Sequence, residues 1–231
     1  MLFLDPTYMI FMIPAFLIMV IAQTYVNSSY KKWSRVIARS KLTGAQVAQR
    51  LISAGGLNVE VEGVSGKLSD HYDPRKKVLF LSEGVYNSPS VAAVAIASHE
   101  LGHAMQDRDG YFPLRIRAAL VPAVNIGSYL GWILIFIGLL LRMTELAWLG
   151  VLVFSGGAIF ALATLPVELN ASRRAKALLT DTGMIVGEDE RSGVNRVLNA
   201  AALTYVAGLI TAVMQLLYFV SLVGGMGGRR R

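Results

Sequence analysis

The sequence predicts a mostly α-helical, integral-membrane fold: about four transmembrane helices and a small cytoplasmic α+β segment outside the lipid. Three observations lead there. Of 231 residues, 54% are hydrophobic and only 16% charged, with a mean hydropathy of +0.51, which is too apolar for an ordinary water-soluble globule. Four uncharged runs approach or exceed the about 20 apolar residues that a helix needs to cross a bilayer. Lysine and arginine gather in two polar segments and are sparse elsewhere.

Taken in order, residues 1–26 hold the first span, "YMIFMIPAFLIMVIAQTYV", with Pro14 as an internal kink. It reads as a span and not a cleaved leader, because no basic residue precedes it and no A-x-A-like site follows. Residues 120–165 form a transmembrane hairpin, "LVPAVNIGSYLGWILIFIGLLL" and "LAWLGVLVFSGGAIFALATL", joined by the short "RMTE". The last span, residues 200–223, contains Gly208 among small residues that admit a close helix neighbour.

Segment 27–119 carries thirteen lysines and arginines and segment 166–199 five, while the hairpin turn has only Arg142. The positive-inside tendency puts both polar segments in the cytoplasm and the N-terminus outside. Four spans then carry the Gly/Arg tail, residues 224–231, to the outside, against that tendency; a re-entrant last segment would remove the conflict. The net charge of +7 therefore reads as topology and affinity for an anionic lipid bilayer, and no interleaved aromatic and basic patch points to nucleic acid. With no cysteine, disulfides, thiolate nucleophiles and cysteine metal sites are excluded.

Within segment 27–119, "SYKKWSRVIAR" reads as a basic helix, and "TGAQVAQRLISAGG" as a helix capped by Thr43 and stopped at Gly55-Gly56. "NVEVEGVSG" and "KKVLFLS" read as short strands, with "DHYDPRK" a turn or strand-end between them. Ser88 to Ser90 open the next helix, "VAAVAIASHELGHAMQDRDG".

That helix carries the chemistry. Residues four apart share a helix face, so His99 and His103, two of only three histidines, can aim ring nitrogens at one point. Glu100 adjoins them, close enough to reach a metal-bound water. This is the H-E-x-x-H pattern of zinc peptidases, in which Zn2+ lowers the pKa of its water and the glutamate serves as general base. The bland alternative is a surface helix whose histidines pair with nearby charges; the small, buried-type face "VAAVAIAS" argues against it. A third protein ligand is required, and downstream carboxylates are the candidates. Glu168 in "LPVELNASRRAKALL" stands out, after Pro166, where a new polar helix is expected to begin; its alternative role is an ordinary N-terminal acid facing the helix dipole. Gln106, Asp107 and Asp109 read as helix-terminating residues, with Gly110 as the stop.

"HELGHAMQ" followed, beyond a hydrophobic hairpin, by "PVELNASRRA" resembles the YugP-like neutral zinc metallopeptidases, a membrane family of the zincin type, over nearly the whole chain. The resemblance implies a zincin-like cytoplasmic segment with His99, His103 and Glu168 as zinc ligands and Glu100 as general base. It implies protein or peptide substrates, membrane proteins among them, and a bacterial cell membrane with the active site facing the cytoplasm. The pattern is also similar to the HtpX and Ste24 peptidases, whose second motif, E-x-x-A-D, ends in an aspartate where this chain has Ser172. An aspartate would orient a zinc histidine, and Ser172 shares the face of Glu168. Zincins pair extended substrates with an edge strand, for which "DHYDPRKKVLFLS" is the stretch here. His71, Tyr72 and Arg173 are the candidates for touching substrate or its oxyanion, as is Arg174, though arginines beside a membrane more often meet lipid phosphate.

Two other functions compete. An intramembrane protease would need the motif inside a span, but only about eight apolar residues precede His99 before "DRDG" follows. A catalytically silent zinc-binding scaffold or adaptor would keep the membrane helices without needing Glu100.

Overall fold

A computed structural model describes residues 5–227. It contains α1 (Pro6–Trp33), α2 (Gly44–Gly55), β1 (Glu60–Val64), β2 (His71–Asp73), β3 (Val78–Ser82), α3 (Glu83–Tyr86), α4 (Val91–Arg108), α5 (Phe112–Leu140), α6 (Thr144–Asp181) and α7 (Glu188–Gly227). Four of them, α1, α5, α6 and α7, are long and apolar enough to cross a membrane. The arginines of the C-terminal tail, 229–231, lie outside the described residues. The chain divides into two units, and the division cuts α1, α5, α6 and α7.

The first unit comprises the N-terminal part of α1, nearly all of α5, α6 as far as Pro166, and α7 from Thr204. Its small core is built on Ile135, Ala147, Val151, Tyr218, Phe219 and Val223. Glycines bring the hairpin helices together backbone to backbone: a Cβ on Gly138 would lie 2.5 Å from the Ala147 nitrogen, and one on Gly150 2.6 Å from that of Ile135. Close approach of this kind replaces the hydrophobic effect, which gives helices no reason to associate in lipid. Around that seam, Ile126, Tyr129, Leu140 and Leu152 face outward, as suits a hydrocarbon solvent. Helix α5 ends in a Schellman turn: the Met143 N–H donates to the Gly138 carbonyl (2.8 Å) and the Arg142 N–H to that of Leu139 (3.4 Å), with Arg142 left-handed at φ 56°.

The second unit, Gln23–Leu114 with Val167–Leu203, holds the polar chemistry. Its sheet has the order β1-β3-β2, with β1 parallel and β2 antiparallel to the central, buried β3. Helix α2 begins with a full capping box, Thr43 with Gln46, and ends at the left-handed Gly56 (φ 59°). Helix α4 is the core element. Ala92, Ala93, Val94, Ala95 and Ala97 are all buried, because small side chains let neighbours close on every face. Its first turn is capped by the Ser90 hydroxyl, which accepts from the Ala93 N–H at 3.2 Å.

Three local readings change. The basic helix expected through residues 29–39 ends at Trp33, where it is the tail of α1; beyond it, the Val36 carbonyl accepts from Val91 and the Ala38 N–H donates to Pro89. The backbone there serves to anchor the start of α4. "DHYDPRK" supplies a real strand, β2, and the tight turn after it, where the Asp73 carboxylate accepts from the Arg75 and Lys76 N–H groups. No new helix begins after Pro166. Helix α6 runs through the proline to Asp181, since "ELNASRRAKALL" is a strong helix former and the proline forfeits only one backbone bond.

Candidate metal centre

One crossing positions the centre. On α4, Gly102 meets α6 so closely that a Cβ there would sit 2.4 Å from the Ala171 carbonyl oxygen and 3.0 Å from its Cα. The helices therefore touch main chain to main chain, one residue from His103 on one side and from Ser172 on the other. Any larger side chain at position 102 would hold the two faces apart.

Across that contact, His99 Nε2 lies 3.2 Å and His103 Nε2 3.5 Å from the same oxygen of Glu168, and the three donor atoms fall within 4.8 Å of one another. The two rings stand edge to face, with centroids 4.9 Å apart. Glu168 is 2% exposed. Donors on a tetrahedron about 2.05 Å from a central zinc would be about 3.3 Å apart, so the two measured separations suit that ion. Two imidazole nitrogens and one carboxylate oxygen are also the donor set of an open catalytic zinc site, with a fourth position left for water or substrate.

Behind each imidazole stands a neutral partner. Ser172 Oγ is 3.1 Å from His99 Nδ1. Gln106 Oε1 is 3.0 Å from His103 Nδ1. Sequence reasoning gave Gln106 only a helix-ending role, yet it is fully buried, and its amide donates to the Val167 carbonyl (2.8 Å) and to Asn170 Oδ1 (3.0 Å). Its place three residues after His103, on the same helix face, was the available signal.

Glu100 is half-buried beside the cluster. Burial pushes its carboxyl up from the ordinary carboxylate value, against the pull of the His99 and His103 charges and with help from Glu168 and Asp70. For His103, burial acts to lower the pKa, but the hydrogen bond to Glu168 and the negative charge of Glu100 prevail and hold the ring above the ordinary histidine value.

None of the remaining candidates is among the three grouped donors. His71 is exposed on β2, its ring stacked on Phe80 (4.9 Å, 21°) and its Nδ1 2.8 Å from the Ser69 carbonyl. Tyr72 donates its hydroxyl to Asp107 at 2.7 Å, and Lys77 reaches the same oxygen at 2.5 Å, which ties the β2–β3 hairpin to the end of α4. Arg173 is exposed, whereas Arg174 turns back to Asn170, Asp109 and the face of Tyr111.

A family model described as "Putative neutral zinc metallopeptidase" matches residues 8–224. The "Putative membrane protease YugP" of Bacillus subtilis (strain 168) is 46% identical over 200 residues, covering 86% of this chain and 88% of that protein. No solved structure matches the chain.

Proposed function

We propose, from the premise that the chain belongs to the family described as "Putative neutral zinc metallopeptidase", that it is a membrane-integral zinc endopeptidase. It hydrolyses peptide bonds of protein substrates at the cytoplasmic face of the membrane. One observation carries the reading: His99, His103 and Glu168 converge from two helices, with Glu100 beside them.

In this mechanism His99, His103 and Glu168 hold the metal, and zinc bound there supplies Lewis acidity to a water and to the scissile carbonyl. Glu100 accepts the proton of the attacking water and delivers it to the departing amine. Its raised pKa suits that exchange, because a base too acidic would hold the proton too weakly to accept it. Ser172 keeps the His99 ring oriented. Strand β2 pairs only with β3 among the described residues, so its outer edge is available for an extended substrate, and the bond from Tyr72 to Asp107 holds that edge against α4. Exposed His71 and Arg173 are the proposed substrate contacts, while Tyr72 serves the strand. The cytoplasmic assignment rests on the lysine and arginine asymmetry.

The test is a comparison of full-length wild type and Glu100→Gln in detergent. The wild type is expected to hold about one zinc per chain and to cleave casein; the variant keeps the zinc and loses cleavage. Cleavage that survives the substitution would refute the assigned chemistry.

A further inference from the structure

Gln106 sits at the end of α4 with no exposure to solvent, and the orientation of its amide follows from a chain of obligate partners. Arginine can only donate. The Arg174 Nε donates to a side-chain atom of Asn170 at 2.8 Å, so that atom is the carbonyl oxygen and not the amide nitrogen. The same oxygen lies 3.0 Å from one end of Gln106, and the Val167 main-chain carbonyl, an acceptor only, lies 2.8 Å from that end. The group between two acceptors is therefore the NH2 of Gln106, with both its protons used. Its carbonyl oxygen is what remains, 3.0 Å from His103 Nδ1. A carbonyl can only accept, so Nδ1 carries a proton, whether the ring is neutral or doubly protonated. In the neutral ring the free lone pair is then on Nε2, the atom that faces Glu168.

We propose that Gln106 is a positioning residue: it locks His103 as the Nδ1–H tautomer and so aims Nε2 at the metal, with Asn170 and Arg174 fixing the glutamine's own orientation. The inference rests on the zinc reading above and extends it to a residue that touches neither metal nor substrate. Asp109 completes the relay, since it binds Arg174 from the turn that ends α4. Rotating the Gln106 amide by 180° would set its oxygen against two other carbonyl oxygens, so the arrangement has no low-energy alternative.

The experiment uses the full-length protein in detergent, loaded with zinc for affinity and with cobalt for proton NMR. Cobalt ligation shifts the exchangeable ring N–H proton of each bound histidine out of the diamagnetic envelope. In the wild type, one such proton is expected from His99 and one from His103. In Gln106→Met, which keeps the side-chain length, the His103 proton should exchange rapidly with water while that of His99 is unchanged. The zinc dissociation constant, read by chelator competition, should rise roughly 10- to 100-fold. Asn170→Ala frees one amide proton of Gln106 and should accelerate exchange at His103 alone, by less. Should the methionine variant fail to fold, this second variant decides. Unchanged exchange and affinity, or equal disturbance of both histidines, would overturn the proposal. A wild type that binds neither metal sinks the zinc reading and this inference with it, whereas normal metal binding with an indifferent Gln106 sinks the inference alone.

Discussion

Gly102→Ala adds a single methyl at the α4–α6 crossing, and the structure gives its consequence in ångströms. The new Cβ would stand 2.4 Å from the Ala171 carbonyl oxygen, and an ordinary contact begins at 3.4 Å, so the helices must part by about 1 Å. His99 and His103 ride on one helix and Glu168 on the other. Zinc–ligand distances tolerate about 0.2 Å, so the displacement is about five times what the centre can absorb. The stability effect is smaller: overpacking costs about 1–3 kcal/mol, partly offset by about 1 kcal/mol from alanine's better helix propensity. The expected outcome is a protein that remains folded but loses zinc affinity by about 10- to 100-fold, read by chelator competition beside a thermal melt. Wild-type zinc affinity in a folded Gly102→Ala protein would refute the claim that this contact sets the ligand spacing.

Other outcomes follow from the same geometry. Glu100→Gln should lower kcat/KM by about 10²- to 10⁴-fold with zinc content unchanged; a variant that loses zinc as well would make Glu100 a ligand and not a base. Because Glu100 must be ionised to accept a proton and burial raises its pKa, kcat/KM should fall with decreasing pH above the usual carboxylate range, and the limb should vanish in a metal-loaded protein lacking Glu100. In protein stripped with chelator, His103 has a folded pKa above its unfolded value of about 6.5, so its protonated pairing with Glu168 stabilises fully below that pH and is lost as pH rises through the folded value. Melting of the stripped protein should therefore fall as pH rises over that window while the zinc-loaded protein shows no such loss; a stripped protein that grows more stable would contradict it. Ser172→Ala removes the hydroxyl beside His99 and should weaken zinc binding by about tenfold with the fold intact, as chelator competition would show. Since the chain has no cysteine, Lys67→Cys and Met143→Cys make clean topology reporters. An impermeant maleimide should label the first only from the cytoplasmic side and the second only from outside; the reverse pattern would overturn the orientation.

What the sequence disclosed and withheld divides along physical lines. The apolar runs are legible because lipid demands length and composition, and those are local properties. Where the helices end is not, because hydropathy stops at the membrane while backbone hydrogen bonding does not: α6 continues through Pro166, and α1 carries on to Trp33. The pairing of His99 with His103 is a matter of helical period and can be read from spacing. Glu168 is 69 positions from His99, so no periodicity connects them; its place after Pro166 made it a candidate, and resemblance implied its role before the folded chain placed it within reach. Gln106 was passed over because its residue type is ordinary near a helix end; its meaning comes from Val167, Asn170 and Arg174 on another helix.

The most direct measurement is X-ray diffraction from crystals of the zinc-loaded protein, with data collected on both sides of the zinc absorption edge. The account predicts one anomalous peak about 2.0–2.2 Å from His99 Nε2, His103 Nε2 and a carboxylate oxygen of Glu168, with Glu100 near but not bound. A peak elsewhere, or a Glu168 side chain turned away from the two histidines, would contradict it.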